Sequence, residues 1–220
     1  MSVKSKRRAR KAASAQRRWI VLVGLIVVLA AMGGGVYLFT RRPAGPTAQA
    51  ALDTGRAMGL AQAPVTIVEY GDFGCPTCKA WQQQGIKEQI LADYAGKVRF
   101  VWRDFPVITA ESPKAAEAGW CAADQGQFWT YHDLLYYEAP ALSVSDLKAY
   151  AVQAGLNAQK FNQCLDSGQH QADVQNEMQD AYAHGFQATP SFLVNDKPLI
   201  GPPSYEQLAA AVDEALQAKK

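Results

Sequence analysis

Four cysteines occur in 220 residues, and two of them, Cys75 and Cys78, stand in the run GDFGCPTCKAW with only Pro76 and Thr77 between them. Two thiols at this spacing hold a metal, staple a fold or exchange electrons. Zinc needs four ligands, usually two such pairs or a pair with histidines. Cys121 and Cys164 are singletons, and His132, His170 and His184 show no ligand spacing, reading instead as residues of solvated helix faces. A structural bridge across two residues closes a very small loop and stabilises little. Redox exchange remains, and the flanking elements must supply the chemistry it needs.

Val65 to Tyr70 is β-branched and aromatic between Pro64 and Gly71, which predicts a strand. Apolar residues at near-helical spacing predict a helix from Pro76 to about Tyr94. The pair therefore sits where a strand feeds the start of a helix. Unpaired N–H groups there favour a thiolate, and thiol pKa values in such motifs fall to about 3.5–7. Cys75, nearest the helix start, is the expected attacking thiolate, and Cys78, one turn further in, the resolving thiol. Pro76 suits the first turn, where its missing N–H goes unused.

Val98 to Trp102 is a second predicted strand. Residues 111–185 lack strand signals and read as an inserted helical domain of four or five helices. Expected caps there are Ser112 before Pro113, Ser143 in a capping box with Asp146, and Asn157, with a longer helix from about Gln169 to His184. Ser191–Val194, a turn at Asn195-Asp196, and Pro198–Ile200 predict a hairpin. Ser204 with Gln207 caps a last helix. The order is βαβ, an insertion, then ββα, an α/β fold over residues 64–110 and 186–220. The tryptophans and the tyrosines near 131–137 read mostly as core.

Charge divides the chain. Residues 1–18, a basic tail, hold eight Lys or Arg and no acid, whereas residues 40–220 hold 14 basic groups against all 20 acids. The mildly acidic domain does not suit nucleic acid, which needs a basic patch. Trp19 to Phe39 is uncharged over 21 residues, long enough to span roughly 30 Å of hydrocarbon as a helix. Residues 19–39 are thus expected to be a transmembrane anchor, with the tail cytoplasmic and the domain outside. Ala48-Gln49-Ala50 offers a small-x-small cleavage site, but the apolar run exceeds the length usual for a signal peptide. Residues 40–63 read as a linker. Outside the membrane disulfides persist, so Cys121 and Cys164 are expected to form a structural bridge within the helical block rather than two buried free thiols.

With the strand before the pair, with Ala188-Thr189-Pro190-Ser191-Phe192-Leu193-Val194 far downstream, and with AGWCAADQGQFWTYHDLL (Ala118–Leu135) between, the chain resembles the DsbA-type thiol–disulfide oxidoreductases of the thioredoxin fold. It most resembles their membrane-anchored, BdbD-like branch, over residues 64–218. The resemblance implies that Thr189-Pro190 is a cis dipeptide facing the cysteines and leaves the Thr189 backbone to pair with an extended client segment. It also implies that Glu69 is an acid beneath Cys78 that relays its proton; Glu69 paired with a base such as Arg103 is the alternative. The Pro-Thr dipeptide supplies no histidine to the thiolate. The expected activity is donation of the Cys75–Cys78 disulfide to exported proteins, with reoxidation by a membrane partner of DsbB or vitamin-K-epoxide-reductase type and no organic cofactor. A reductase or isomerase on the same fold, or a non-catalytic anchored binding domain, are the alternatives.

Overall fold

The computed structural model describes residues 55–137, 139 and 141–218. The expected tail and anchor lie outside the described residues. Among the described residues no helix is long and apolar enough to cross a membrane.

The elements in chain order are β1 (Ala57–Gly59), β2 (Val65–Gly71), α1 (Pro76–Gln82), α2 (Ile86–Asp93), β3 (Val98–Asp104), α3 (Ser112–Ala123), α4 (Phe128–Tyr137), α5 (Val144–Gln153), α6 (Ala158–Ser167), α7 (Gln171–Ala183), β4 (Ser191–Val194), β5 (Lys197–Ile200) and α8 (Tyr205–Gln217). They build a five-stranded sheet of order β1-β3-β2-β4-β5. β2 and β3 are parallel, with Val65 opposite Val98 and Gly71 opposite Asp104, while the other pairs are antiparallel.

The central strands are buried on both faces, so they read as unbroken apolar runs. Val65, Ile67, Phe100 and Phe192 pack with Trp81, Ile90, Leu208 and Val212, which places α1, α2 and α8 on one face. Val68, Tyr70, Val101 and Leu193 face the other way, onto Ala181 of α7 and Phe186. The third core joins the cysteine turn to the helical block through Phe73, Cys75, Cys78, Trp102, Tyr131, Tyr136 and Phe161.

Several boundaries differ from the sequence reading. The helix expected from Pro76 to Tyr94 is two helices, because Gly85 adopts a left-handed φ of 69° and starts a new axis at Ile86. Ser112 is the first helical residue rather than the cap; its Oγ accepts the Thr109 N–H instead. Ser143, Asn157 and Ser204 do cap their helices, the last in a reciprocal box with Gln207.

The sheet also begins before Pro64. β1 lies within the expected linker and pairs with β3, and Arg56 just before it is buried. Its guanidinium meets Asp104 at 2.8 Å and Glu177 at 2.9 Å and lies 4.0 Å above the Trp120 ring. One cation thereby joins β1, β3, α3 and α7. A charged residue in an Ala/Gly-rich stretch gave no sequence signal of burial, since only these distant acids make burial tolerable.

Candidate active site

The turn from β2 into α1 is held from three sides by Asp72. Its Oδ1 accepts the Gly74 N–H at 2.7 Å, and its Oδ2 accepts the Val107 and Ile108 N–H groups at 2.8 Å each. Its carbonyl accepts the Cys75 N–H and the Tyr136 hydroxyl. Gly74 is required here: a Cβ would stand 2.6 Å from Ser112 Oγ and 2.9 Å from Thr109 Oγ1. Asp72 stands outside the residues the sequence marked for the site; its signal there is an Asp two residues before Gly, a familiar side-chain-to-backbone turn.

Cys75 caps α1, and Pro76 follows in the first turn. The Cys75 Sγ accepts the Cys78 backbone N–H at 3.4 Å and approaches the Thr189 carbonyl oxygen at 3.4 Å. The Thr189-Pro190 bond is cis, and this dipeptide faces the pair. Both thiols are free in this structure. A hydrogen bond from the Cys78 thiol, helped by backbone N–H groups of Cys78 and Thr77, brings the Cys75 pKa down to about 5. Burial pushes the Cys78 thiol far up, and the neighbouring Cys75 and Glu69 add to the shift. The pair thus holds one thiolate and one thiol at neutral pH.

Glu69 is fully buried, and burial raises its pKa to about 8, although Lys87 and a 2.9 Å hydrogen bond from Gln82 Nε2 oppose the shift. Among the described residues its Oε1 has no hydrogen-bond partner. Arg103 is not its partner. Arg103 stands in register with Tyr70, one residue on from Glu69, so its side chain leaves the opposite face of the sheet and lies 3.5 Å from Glu177. Lys87 is buried, 3.2 Å from Glu88 and 4.7 Å over the Trp129 ring.

Two histidines expected on solvated faces are buried. His132 is enclosed by the rings of Phe73, Trp102, Phe128, Trp129 and Tyr136, at centroid distances of 4.9–5.8 Å. Burial takes its pKa down to about 4, so it is neutral. Position four residues after Phe128 on α4 puts it on the core face. His170 stacks on Trp120. His184 is exposed as expected.

A cleft of about 520 Å³ opens beside Cys75. Phe73, Leu135, Ala139, Ala141 and Leu142 form apolar lining, with Lys79 and Glu111 as charged residues. Away from it, Cys121 and Cys164 are joined by a disulfide between α3 and α6, with Cα atoms 5.8 Å apart.

The thioredoxin family model matches residues 51–214. A thioredoxin-like oxidoreductase from Silicibacter pomeroyi DSS-3 superimposes with a TM-score of 0.66 at 29% identity, covering 73% of this chain and 91% of that one. BdbD from Bacillus subtilis, in its oxidised form, gives a TM-score of 0.69 at 24% identity over 76% of this chain and 95% of its own. A Na(+)/H(+) antiporter NhaA 3 from Salinispora tropica is 36% identical over 165 residues, 74% of this chain but 25% of the antiporter. The chain thus spans about a quarter of the length of the curated relatives it matches. With its cysteine pair at a strand-to-helix turn, facing a cis-proline loop, and with the family model matching residues 51–214, this chain belongs to the thioredoxin family.

Proposed function

We propose that the protein is a membrane-anchored, extracytoplasmic thiol oxidase that donates the Cys75–Cys78 disulfide to exported proteins. The observation that carries this reading is the stabilised Cys75 thiolate. Whatever stabilises the reduced pair makes its disulfide a stronger oxidant. A client thiolate attacks Cys75 Sγ, and Cys78 leaves with the electron pair. Glu69, still protonated at neutral pH, supplies the proton that Cys78 takes up. A second client thiolate then attacks the client sulfur of the mixed disulfide and expels Cys75, a good leaving group at its low pKa. The client gains a disulfide and the enzyme is left reduced.

The cleft beside Cys75 accepts the client chain, and the Thr189 backbone pairs with it. A quinone-linked membrane partner of DsbB or vitamin-K-epoxide-reductase type takes the electrons. Residues 19–39, uncharged and 21 residues long, hold the domain at the membrane.

Equilibration of the pair against glutathione buffers tests the reading. A potential near roughly −120 mV makes it an oxidant, and one near about −270 mV a reductant. Protease added to spheroplasts tests the placement: digestion of the domain is expected, and protection of it by the intact membrane overturns an outside location.

A further inference from the structure

We propose that Cys121, Cys164, His170 and Asp124 form a zinc site when the Cys121–Cys164 bridge is reduced. The Cys164 Sγ, the His170 Nε2 and the Asp124 Oδ2 all lie within 4.8 Å of one another. The imidazole nitrogen is 2.8 Å from the carboxylate oxygen, and the sulfur is 3.9 Å from the same oxygen. Donors on one tetrahedral zinc stand about 3.3–3.8 Å apart, given bonds of about 2.0–2.3 Å. Small side-chain adjustments bring the three to that spacing. The fourth donor is Cys121, bonded to Cys164 in the structure and carried on a Cα only 5.8 Å away.

The surroundings are those of a ligand set. His170 turns its other nitrogen, Nδ1, to Asp173 Oδ2 at 2.7 Å. An outer carboxylate on the second ring nitrogen is the usual support of a metal-bound histidine. The ring is further fixed by stacking on Trp120, with centroids 5.2 Å apart. Gln169 Nε2 donates to Asp124 Oδ2 at 3.1 Å and orients the carboxylate. Asp124 is exposed, which gives an ion a way in, while both cysteines are buried.

Oxidation state decides whether the site exists. A disulfide sulfur is not a thiolate ligand, and one imidazole with one carboxylate is half a zinc site. A dithiol reductant opens the bridge in two exchanges: its first thiolate forms a mixed disulfide with one cysteine, and its second expels that cysteine. The reductant leaves as a disulfide, and the protein gains two thiols. Zinc then replaces the two thiol protons and any proton held between His170 and Asp124. Two thiolates, an imidazole and a carboxylate match zinc in donor type and number. Bound there, the ion takes over the tie between α3 and α6 and adds the start of α7.

The test uses the full-length chain carrying Cys75→Ser and Cys78→Ser, so that only the second pair reports. Cobalt(II) is titrated into oxidised and reduced samples. One equivalent with thiolate-to-cobalt charge transfer and tetrahedral d–d absorption is expected after reduction, and no thiolate band before it. Zinc must displace the cobalt and protect both thiols from alkylation. His170→Gln is expected to abolish the tetrahedral signal. Asp173→Asn, which leaves every ligand in place, is expected to weaken zinc binding about 10- to 100-fold. Circular dichroism records the fold of each variant, and where His170→Gln does not fold, Asp173→Asn decides. Absence of a thiolate band in the reduced protein, folded or not, overturns the proposal. So does zinc binding of equal strength in the oxidised protein, or an affinity unchanged by Asp173→Asn.

Discussion

The Sγ of Cys75 accepts the backbone N–H of Cys78 at 3.4 Å, while the Cys78 side chain itself is wholly enclosed. The two thiols are adjacent in the motif and opposite in ionisation. Alkylation of the reduced protein should therefore follow one titration, with a midpoint near about 5 and a plateau at neutral pH. Peptide mapping should place the label on Cys75. A midpoint near the roughly 8.5 of a free thiol, or first labelling of Cys78, would contradict the assignment.

Replacement of the two cysteines should give different defects. Cys75→Ser removes the sulfur that clients attack and abolishes exchange. Cys78→Ser leaves a Cys75 thiolate that attacks client disulfides, expelling one client thiolate, and no internal thiol to reverse the step, so mixed disulfides with clients accumulate through Cys75. Non-reducing gels of cells expressing each variant read the difference. Equal trapping by both variants would refute the division of roles.

Glu69 should cost stability in a defined pH window. Its folded pKa of about 8 lies above the ordinary 4.5. The unfolded chain therefore releases this proton first, and stability falls as pH rises from about 4.5 toward 8. Glu69→Gln should raise the melting temperature at pH 8, by about 5 °C or more for a gain of a few kcal/mol, and leave it nearly unchanged at pH 4. The same variant should slow client oxidation by about 100-fold if its proton serves Cys78. A melting temperature at pH 8 lower than the wild type would show that the carboxylate is paired after all.

Arg56 should matter as much as any core residue. Arg56→Ala leaves Asp104 buried without its cation and Glu177 with only Arg103, a loss of roughly 3–5 kcal/mol. Burial already lifts the Asp104 pKa to about 7, so protonation should relieve part of the damage at pH 5. Urea denaturation at pH 5 and pH 8 measures both effects. An unchanged midpoint at pH 8 would mean that the cluster contributes nothing net.

The bridge between α3 and α6 closes a separation of 43 residues. Its removal by Cys121→Ala with Cys164→Ala should cost roughly 4 kcal/mol in the chain-entropy model. After mild reduction that opens only the catalytic pair, unfolded protein should show two reactive thiols. Four would mean that the second bridge is absent or equally labile.

Local signals carried well where one short stretch decides the outcome. Cys75-Pro76 at a strand end, Ser204 with Gln207, and Asn157 each fix their own helix start through neighbouring backbone groups, so the sequence alone reveals them. The Gly85 break is also local, yet the apolar spacing continues across it from Trp81 through Ile86 and hides the change of axis. Long-range pairing was not legible. Arg56 is buried because Asp104 and Glu177 arrive from 48 and 121 residues away. His132 is enclosed because Phe73 and Trp102 come from other elements. The Arg103 alternative for Glu69 failed on strand parity, which becomes decisive only once the register with β3 is known.

β1 runs antiparallel to β3, with the Trp102 N–H donated to the Arg56 carbonyl and Ala57 opposite Val101. β3 runs toward the Asp72 turn, since Asp104 stands opposite Gly71. The polypeptide therefore comes into the sheet from the catalytic end, two strands, or about 10 Å, to the side of β2. For anyone handling the protein this sets an orientation: Gly55 stands at the reactive edge of the domain, whereas Glu214, paired with Lys197 at the other end of the sheet, puts the last turn of α8 away from the edge that macromolecular thiols must reach.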